Sequence, residues 1–134
     1  MMTNARATYM DASIATASPA RLLVMLYERL VLDVQRGLDA QQRGDVEQTH
    51  RQLTHAQDIV MELHSSLRVD GFTGGQGLAD LYSYLHRQLV LANVRRDQDI
   101  TAECLRIVTD LCDTWRQAAL ESATTAHGLL AKGA

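Results

Sequence analysis

Several features that would indicate membrane or nucleic-acid binding are missing from this chain. No apolar run approaches the length needed to cross a bilayer, and no charged-then-apolar leader with a cleavage site opens the sequence. Thirteen basic and sixteen acidic residues give a net charge of −3, without the basic excess of nucleic-acid-binding proteins. We therefore expect a soluble protein that neither inserts into membranes nor binds nucleic acid.

Cysteine is also scarce, and the two cysteines present are badly placed for a disulfide. Cys104 and Cys112 lie eight residues apart in one helical pattern. A helix rises 1.5 Å per residue, so they stand about 12 Å apart, too far to be bridged. So few cysteines are typical of a reducing compartment, and we predict a cytoplasmic location.

No strand-like alternation of any length occurs, and no internal repeat is evident. The 134 residues, 46% of them hydrophobic, suit one compact domain. Four helical patterns with short connections predict an all-α, antiparallel up-down four-helix bundle, with Tyr27 and Trp115 in its core. The predicted divisions are an N-terminal arm over residues 1–17, the bundle over 18–121 and a flexible C-terminal tail over 122–134.

The first two helices carry clear end signals. Ser18 can cap the first helix, and Pro19 suits its first position because the missing N–H costs nothing there. Apolar residues then recur at spacings of three and four until Gly44, which can adopt the left-handed conformation that ends a helix. Asp45 with Gln48 forms a capping-box pattern, so the second helix should begin at once.

The second half of the chain has weaker signals. The glycine-rich residues 71–77 lack the features of a phosphate-binding loop and predict a flexible connection. A third helix is expected from about Leu78 to Arg96. Asp99 is the predicted N-cap of a fourth helix, which should fade near Ser122.

The residue patterns give no indication of catalysis. The histidines are His50, His55, His64, His86 and His127. None pairs with another His or with Cys at a metal-ligand spacing, and no Glu-x-x-His pattern occurs. We therefore predict no metal, no cofactor, no catalytic residues and no enzyme activity. The alternative from another class is a histidine phosphotransfer bundle that uses His50, His55 or His86.

The acidic residues are expected to serve solubility rather than chemistry. They fall mostly outside the apolar seams of the predicted helices, so we interpret them as solvated. The examples are Asp33, Asp58, Glu62 and Asp80.

The predicted helices carry more apolar side chains than one interhelical seam would bury. The surplus residues are Met25, Leu32, Ile59, Met61, Leu91 and Val94. A small bundle with surplus apolar surface on neighbouring helices commonly binds amphipathic helices in a groove. The alternative is an obligate homodimer that buries this surface against a second copy.

An ordered set of residues over about 7–118 resembles the flagellin-specific export chaperones of the FliS type. Before the loop, the resemblance rests on Tyr9, Thr16-Ala17-Ser18-Pro19, Leu22, Leu23, Met25, Leu26, Tyr27, Gly44-Asp45, Ala56-Gln57-Asp58-Ile59-Val60 and Leu67. From the loop onward, it rests on Gly74-Gly75, Leu81-Tyr82-Ser83-Tyr84-Leu85, Leu89-Val90-Leu91-Ala92-Asn93, Arg96-Asp97 and Trp115.

The resemblance implies a cytoplasmic chaperone that binds the disordered C-terminal segment of flagellin. It would prevent premature polymerisation and deliver flagellin to the flagellar type III export apparatus. The implied partner-binding residues are Tyr9, Met10, Ile14, Ile59, Leu63, Tyr82, Leu89, Leu91 and Asn93. The sequence alone favours the arm as a tether for the core, whereas the resemblance favours a detachable cover over the groove.

Overall fold

The residues that the structure describes form four helices. The computed structural model describes residues 18–68, 70 and 73–132, with side chains up to residue 122. The helices are α1 (Pro19–Gln42), α2 (Val46–Ser66), α3 (Gly75–Val94) and α4 (Gln98–Lys132). Each packs on the next along the chain, and α4 returns to pack on α1. The described residues contain no strand, and the predicted all-α four-helix bundle is confirmed.

The core is a continuous apolar stripe from all four helices. Its largest fully buried side chains include Tyr27, Tyr82, Leu30, Leu53, Leu85 and Leu89. The predicted placement of Tyr27 is confirmed. Trp115 is only half-buried, and its ring stacks on Tyr27 with centroids 6.3 Å apart and planes 20° apart. The tryptophan therefore closes the edge of the core rather than filling its centre.

The turn between α1 and α2 follows its sequence signals. Ser18 Oγ accepts the backbone N–H of Arg21 at 3.1 Å, so it caps α1 as predicted. Gly44 adopts a left-handed φ of 72°, where a residue without Cβ carries no steric cost. Asp45 Oδ1 accepts the N–H of Gln48 at 3.0 Å and begins α2.

The turn between α3 and α4 corrects the predicted cap. Asp97, and not Asp99, is the N-cap of α4, because its Oδ1 accepts the N–H groups of Asp99 and Ile100 at 3.0 and 3.2 Å. Asp99 already lies in the first turn of the helix. Arg96 precedes the cap with a left-handed φ of 52°, an uncommon conformation for a residue with a Cβ.

The two turns reveal a repeat that contradicts the expectation of none. The pattern Ala-x-x-Arg-x-Asp-x-x-x-Thr occurs at 40–49 and again at 92–101. Thr49 Oγ1 donates to the Asp45 carbonyl at 2.8 Å, and Thr101 Oγ1 donates to the Asp97 carbonyl at 3.2 Å. Both threonines are buried. The same pattern therefore makes the same turn twice, at the same end of the bundle.

Helix α4 passes its predicted end. It continues beyond Ser122 to Lys132, so the segment assigned to a tail is helical over most of its length. A helix can contain many small residues, and Gly128 lowers the stability of the helix by only about 1 kcal/mol relative to alanine. At 35 residues, α4 is much longer than the 24-residue α1 on which it packs.

Candidate functional site

An open groove lies between α2 and α3 on one side of the bundle. It has a volume of about 300 Å³ and is lined by Val60, Met61, His64, Ser83, His86 and Arg87. Met61 is 58% exposed, which is unusual for a large apolar side chain. The groove therefore offers one apolar contact between basic and hydroxyl-bearing side chains.

Helical spacing places further side chains on the two walls of this groove. On α3, Val90 follows His86 and Arg87 by four and three residues, so it shares their face. Asn93 continues the line, and its Nδ2 donates to His50 Nδ1 of α2 across 2.8 Å. This hydrogen bond joins α2 and α3 beyond the residues that line the groove.

The structure buries four of the predicted partner-binding residues. Ile59, Leu63, Tyr82 and Leu89 belong to the apolar core and lie beneath the surface instead of lining the groove. Helix α2 packs on both α1 and α3, so it needs a wider apolar face than one seam provides. Direct contact with a guest would require the core to open at these four positions.

The remaining predicted residues have different positions. Leu91 and Asn93 are half-buried, so part of each side chain is accessible. Asn93 is also hydrogen-bonded, as described above. Tyr9, Met10 and Ile14 lie outside the described residues. The part that each of these residues plays in partner binding stays a prediction.

The surplus apolar residues do not converge on one surface. Ile59 is buried, and Leu32 lies on α1, 39% exposed. Val94, the last residue of α3, is 73% exposed. Met25 and Leu91 are half-buried. Of the six, Met61 alone lines the groove between α2 and α3.

A layer of aromatic rings crosses the bundle beneath the groove. The hydroxyl groups of Tyr27 on α1 and Tyr82 on α3 are hydrogen-bonded to each other in the core. Burial raises the pKa of both phenols, so both remain neutral. Trp115 of α4 stacks on Tyr27, and the ring of His64 lies 6.1 Å from that of Tyr82. Since His64 lines the groove, this layer joins the groove to the opposite helices.

A buried carboxylate corrects the interpretation of Asp33 as a solvated acid. The side chain of Asp33 is fully buried. Its Oδ1 accepts Arg29 Nε at 3.0 Å, and its Oδ2 is bonded to Nδ1 of His55 on α2. Buried charges persist only when paired and hydrogen-bonded, and both conditions are met here. The group ties α1 to α2, and nothing in the spacing of 22 residues indicates it.

The described histidines and cysteines bear on the predictions of no metal and no catalytic residues. The described residues hold no group of three or more His, Cys, Asp or Glu side chains placed to bind a metal. Burial raises the pKa of the Cys104 thiol to about 12, so it stays protonated and unreactive. Over the same residues, no helix has the length and hydropathy of a membrane span.

The phosphotransfer alternative gains no support from the histidines it would use. Nδ1 of His50 accepts from Asn93, and Nδ1 of His55 is bonded to Asp33. His86 is half-buried in the groove, where Arg87 is its basic neighbour. Two of the three candidates therefore serve as links between helices.

Comparison with known proteins agrees with this architecture. A relative in Bacillus subtilis (strain 168), a flagellar secretion chaperone FliS, is 31% identical over 93% of each chain. One of the same description in Vibrio cholerae (serotype O1, strain ATCC 39315 / El Tor Inaba N16961) is 27% identical over 80% of this chain and 79% of its own.

A solved structure, described as a crystal structure of a flagellar chaperone from bacteria, shares the fold. Its TM-score is 0.70 at 22% identity, over 87% of this chain and 96% of its own. The family model described as "Flagellar protein FliS" matches residues 2–122. The chain therefore belongs to the FliS family of flagellar proteins.

Proposed function

We propose that this protein is a cytoplasmic chaperone for flagellin secretion. It binds the disordered C-terminal segment of flagellin, prevents premature polymerisation and delivers flagellin to the flagellar type III export apparatus. Family membership and the names of the relatives support the chaperone role. The groove between α2 and α3 is the surface to which we assign the flagellin segment.

One observation carries this assignment: Met61, a large apolar side chain, is exposed on the lining of the groove. Burying a methionine side chain contributes about 1.5–3 kcal/mol, so the groove can hold an apolar side chain of a guest helix. His64 and His86 flank it with groups that can hydrogen-bond a guest. A groove between two helices is also a common receptor for an amphipathic helix, which presents side chains every three or four residues.

The guest is expected to fold as it binds. A disordered segment loses conformational entropy on ordering, about 1–2 kcal/mol per residue, and must recover it from buried apolar area. One groove around Met61 is too small for a long segment. The flagellin segment therefore extends from the groove onto other faces of the bundle, such as that of Leu32.

Calorimetry and circular dichroism with a flagellin C-terminal peptide test the proposal. We expect saturable one-to-one binding, with more helical signal in the mixture than in the two separate spectra combined. Flagellin polymerisation should slow in the presence of the protein. Absence of binding at protein concentrations up to about 100 μM would reject the assignment of flagellin, since productive recognition at this scale needs a micromolar Kd.

A second copy of this chain is the competing occupant of the apolar surface. Sedimentation of the free protein and of the mixture distinguishes the two cases. A dimer that persists while the added flagellin peptide stays unbound would support the homodimer alternative, because the second copy then keeps the apolar surface covered. A monomer in both samples would contradict the homodimer alternative and support the groove as the flagellin-binding surface.

A further inference from the structure

The groove between α2 and α3 is lined by three basic side chains and by no acidic one. The basic residues are His64, His86 and Arg87, and the hydroxyl of Ser83 is the remaining polar group. Within the described part of the chain, none of these four polar groups takes part in a side-chain hydrogen bond or an ion pair. The groove therefore presents hydrogen-bond donors and positive charge to whatever enters it.

The face between α1 and α4 shows how the bundle completes a similar cluster with its own residues. This face is the equivalent of the groove, because the offset of 52 residues relates α2 to α4 and α1 to α3. Arg116 of α4 is equivalent to His64 of α2. Its guanidinium pairs with the carboxylates of Glu28 and Asp113, at 3.2 Å in both cases. On this face the basic group is thus matched by acids of the same chain.

The groove lacks the equivalents of those two acids. Met61 occupies the position that corresponds to Asp113. Asp80 corresponds to Glu28, but its Oδ1 accepts Nε2 of Gln76 at 2.9 Å, and the residue does not line the groove. The basic side chains of the groove therefore have no carboxylate of this chain beside them in the lining, and an acid from a partner can take that place.

Arg87 is the lining residue best suited to hold such an acid. Its side chain is exposed on α3, and a guanidinium stays charged and can donate two parallel hydrogen bonds to one carboxylate. The other acids near this face, Asp58 and Glu62 of α2, are exposed and do not line the groove. Met61 lines the same groove, so a guest helix can meet a positive charge and an apolar surface together.

We propose that the groove selects its guest helix by a carboxylate. An aspartate or glutamate of the guest pairs with Arg87, and an apolar residue three or four positions away covers Met61, since this spacing places two side chains on one helical face. His64 donates a further hydrogen bond to the guest. The inference rests on the proposed assignment of the flagellin segment to this groove, and it names Arg87 as the residue that determines specificity there.

Calorimetry with substituted flagellin C-terminal peptides tests this pairing on the full chain. Each aspartate or glutamate of the peptide is changed in turn to asparagine or glutamine. We expect one position at which the change weakens binding about fivefold, because a charge-assisted hydrogen bond is lost. The same peptide change should have no effect on binding to Arg87→Gln, since a double-mutant cycle isolates the interaction between the two groups.

Two arginine variants provide the matched control. Arg87→Gln should weaken binding of the unmodified peptide about fivefold and leave the melting temperature unchanged, because Arg87 forms no ion pair in the described part of the free protein. Arg106→Gln removes an exposed arginine of α4 that does not line the groove, and affinity should not change. Added salt should weaken binding to wild type more than binding to Arg87→Gln.

A charge exchange tests the direction of the pairing. Arg87→Glu should weaken binding of the unmodified peptide more than Arg87→Gln does, because two carboxylates then face each other. A peptide with lysine at the mapped acidic position should bind Arg87→Glu more tightly than it binds wild type. Tighter binding of this lysine peptide to wild type would overturn the pairing.

The remaining outcomes separate this inference from the proposed function. Equal affinity of all peptides for wild type, or equal losses in Arg87→Gln and Arg106→Gln, would overturn the inference while flagellin binding stands. A peptide change that weakens binding equally in wild type and Arg87→Gln would place the carboxylate elsewhere. No binding of the unmodified peptide to wild type would overturn the proposed function and this inference together.

Discussion

The bundle consists of two helical hairpins, α1–α2 and α3–α4. They share the turn sequence and the spacing of buried positions, and they differ in the residue types at those positions. The turn pattern at 40–49 returns 52 residues later at 92–101. Buried positions on α1 recur on α3 at the same offset. The positions on α1 are Tyr27, Leu30, Asp33, Gly37 and Ala40, and their equivalents on α3, in the same order, are Ala79, Tyr82, Leu85, Leu89 and Ala92. The helix ends and buried stripe are thus common to both hairpins, whereas the interior chemistry is not.

The differences fall at equivalent positions. Where the first hairpin has Gly37, the second has Leu89, and where the first has the polar pair Asp33 and His55, the second has the apolar pair Leu85 and Ile107. The same helical arrangement therefore accepts either a hydrogen-bonded polar pair or an apolar pair at these positions. Each substitution below exchanges or removes one of these differences.

The largest effect is expected from the aromatic edge of the second hairpin. Trp115 of α4 is equivalent to Leu63 of α2, and its ring stacks on Tyr27. Trp115→Ala removes this contact and should lower the free energy of unfolding by about 3 kcal/mol. Urea denaturation of the variant measures the loss. A change below about 1 kcal/mol would show that the ring contributes little to the core.

The next largest effect is expected at the hydrogen-bonded pair Asp33 and His55, and a double-mutant cycle compares this pair with its apolar counterpart. Asp33→Asn should cost about 1.5–3 kcal/mol, because two hydrogen bonds from basic groups lose their charged acceptor. Introducing the second hairpin's residues together, as Asp33→Leu with His55→Ile, should cost less than Asp33→Leu alone.

Urea denaturation of the two single variants and the double variant gives the coupling free energy between positions 33 and 55. If the losses simply add, the two sites are independent and the equivalence of the hairpins does not extend to this pair.

Replacing glycine by alanine should change the stability with opposite signs at two helical positions, Gly37 and Gly77. A Cβ at Gly37 would lie 2.6 Å from Cδ2 of the buried Leu53, so Gly37→Ala should destabilise by about 1 kcal/mol despite its helix propensity. At Gly77 no described atom lies within 4 Å of such a Cβ, and Gly77→Ala should stabilise by about 0.5 kcal/mol. Thermal unfolding of both variants gives the signs. A stabilised Gly37→Ala would mean that α1 and α2 can move apart without cost.

Effects of similar, small size are expected at the two left-handed turn residues. Arg96→Gly should stabilise by up to about 1 kcal/mol because glycine adopts a positive φ without steric cost, and Gly44→Arg should destabilise by a similar amount. Each variant makes one turn resemble the other, so the melting temperatures should move in opposite directions. Shifts of the same sign would indicate that side-chain contacts outweigh the backbone term.

The sequence predicted the elements that depend on local signals. Ser18, Gly44 and Asp45 act within a few residues of the chain, so each helix end that they set was predictable. The repeated turn was also present in the sequence, and comparing the chain with itself would have located Asp97 as the cap. The helix beyond Ser122 was missed because small residues are weak signals in either direction.

The candidate site was less predictable because it depends on which helices become neighbours. Ile59 falls outside one apolar seam, yet it is buried because α2 packs on two other helices. Asp33 meets His55 only after α1 and α2 pair. The spacing along one helix predicts on which face a residue lies. Whether that face is buried depends on how all the helices pack together.

Binding of the flagellin C-terminal peptide to Met61→Glu tests the central claim most directly. The claim is that the groove between α2 and α3 receives this segment. Leu120→Glu is the matched control, because Leu120 of α4 is 62% exposed and does not line the groove. Burying glutamate in place of methionine should weaken binding at least tenfold, since about 1.5 kcal/mol or more is lost. Equal affinity of wild type and Met61→Glu, or an equal loss in both variants, would contradict the account.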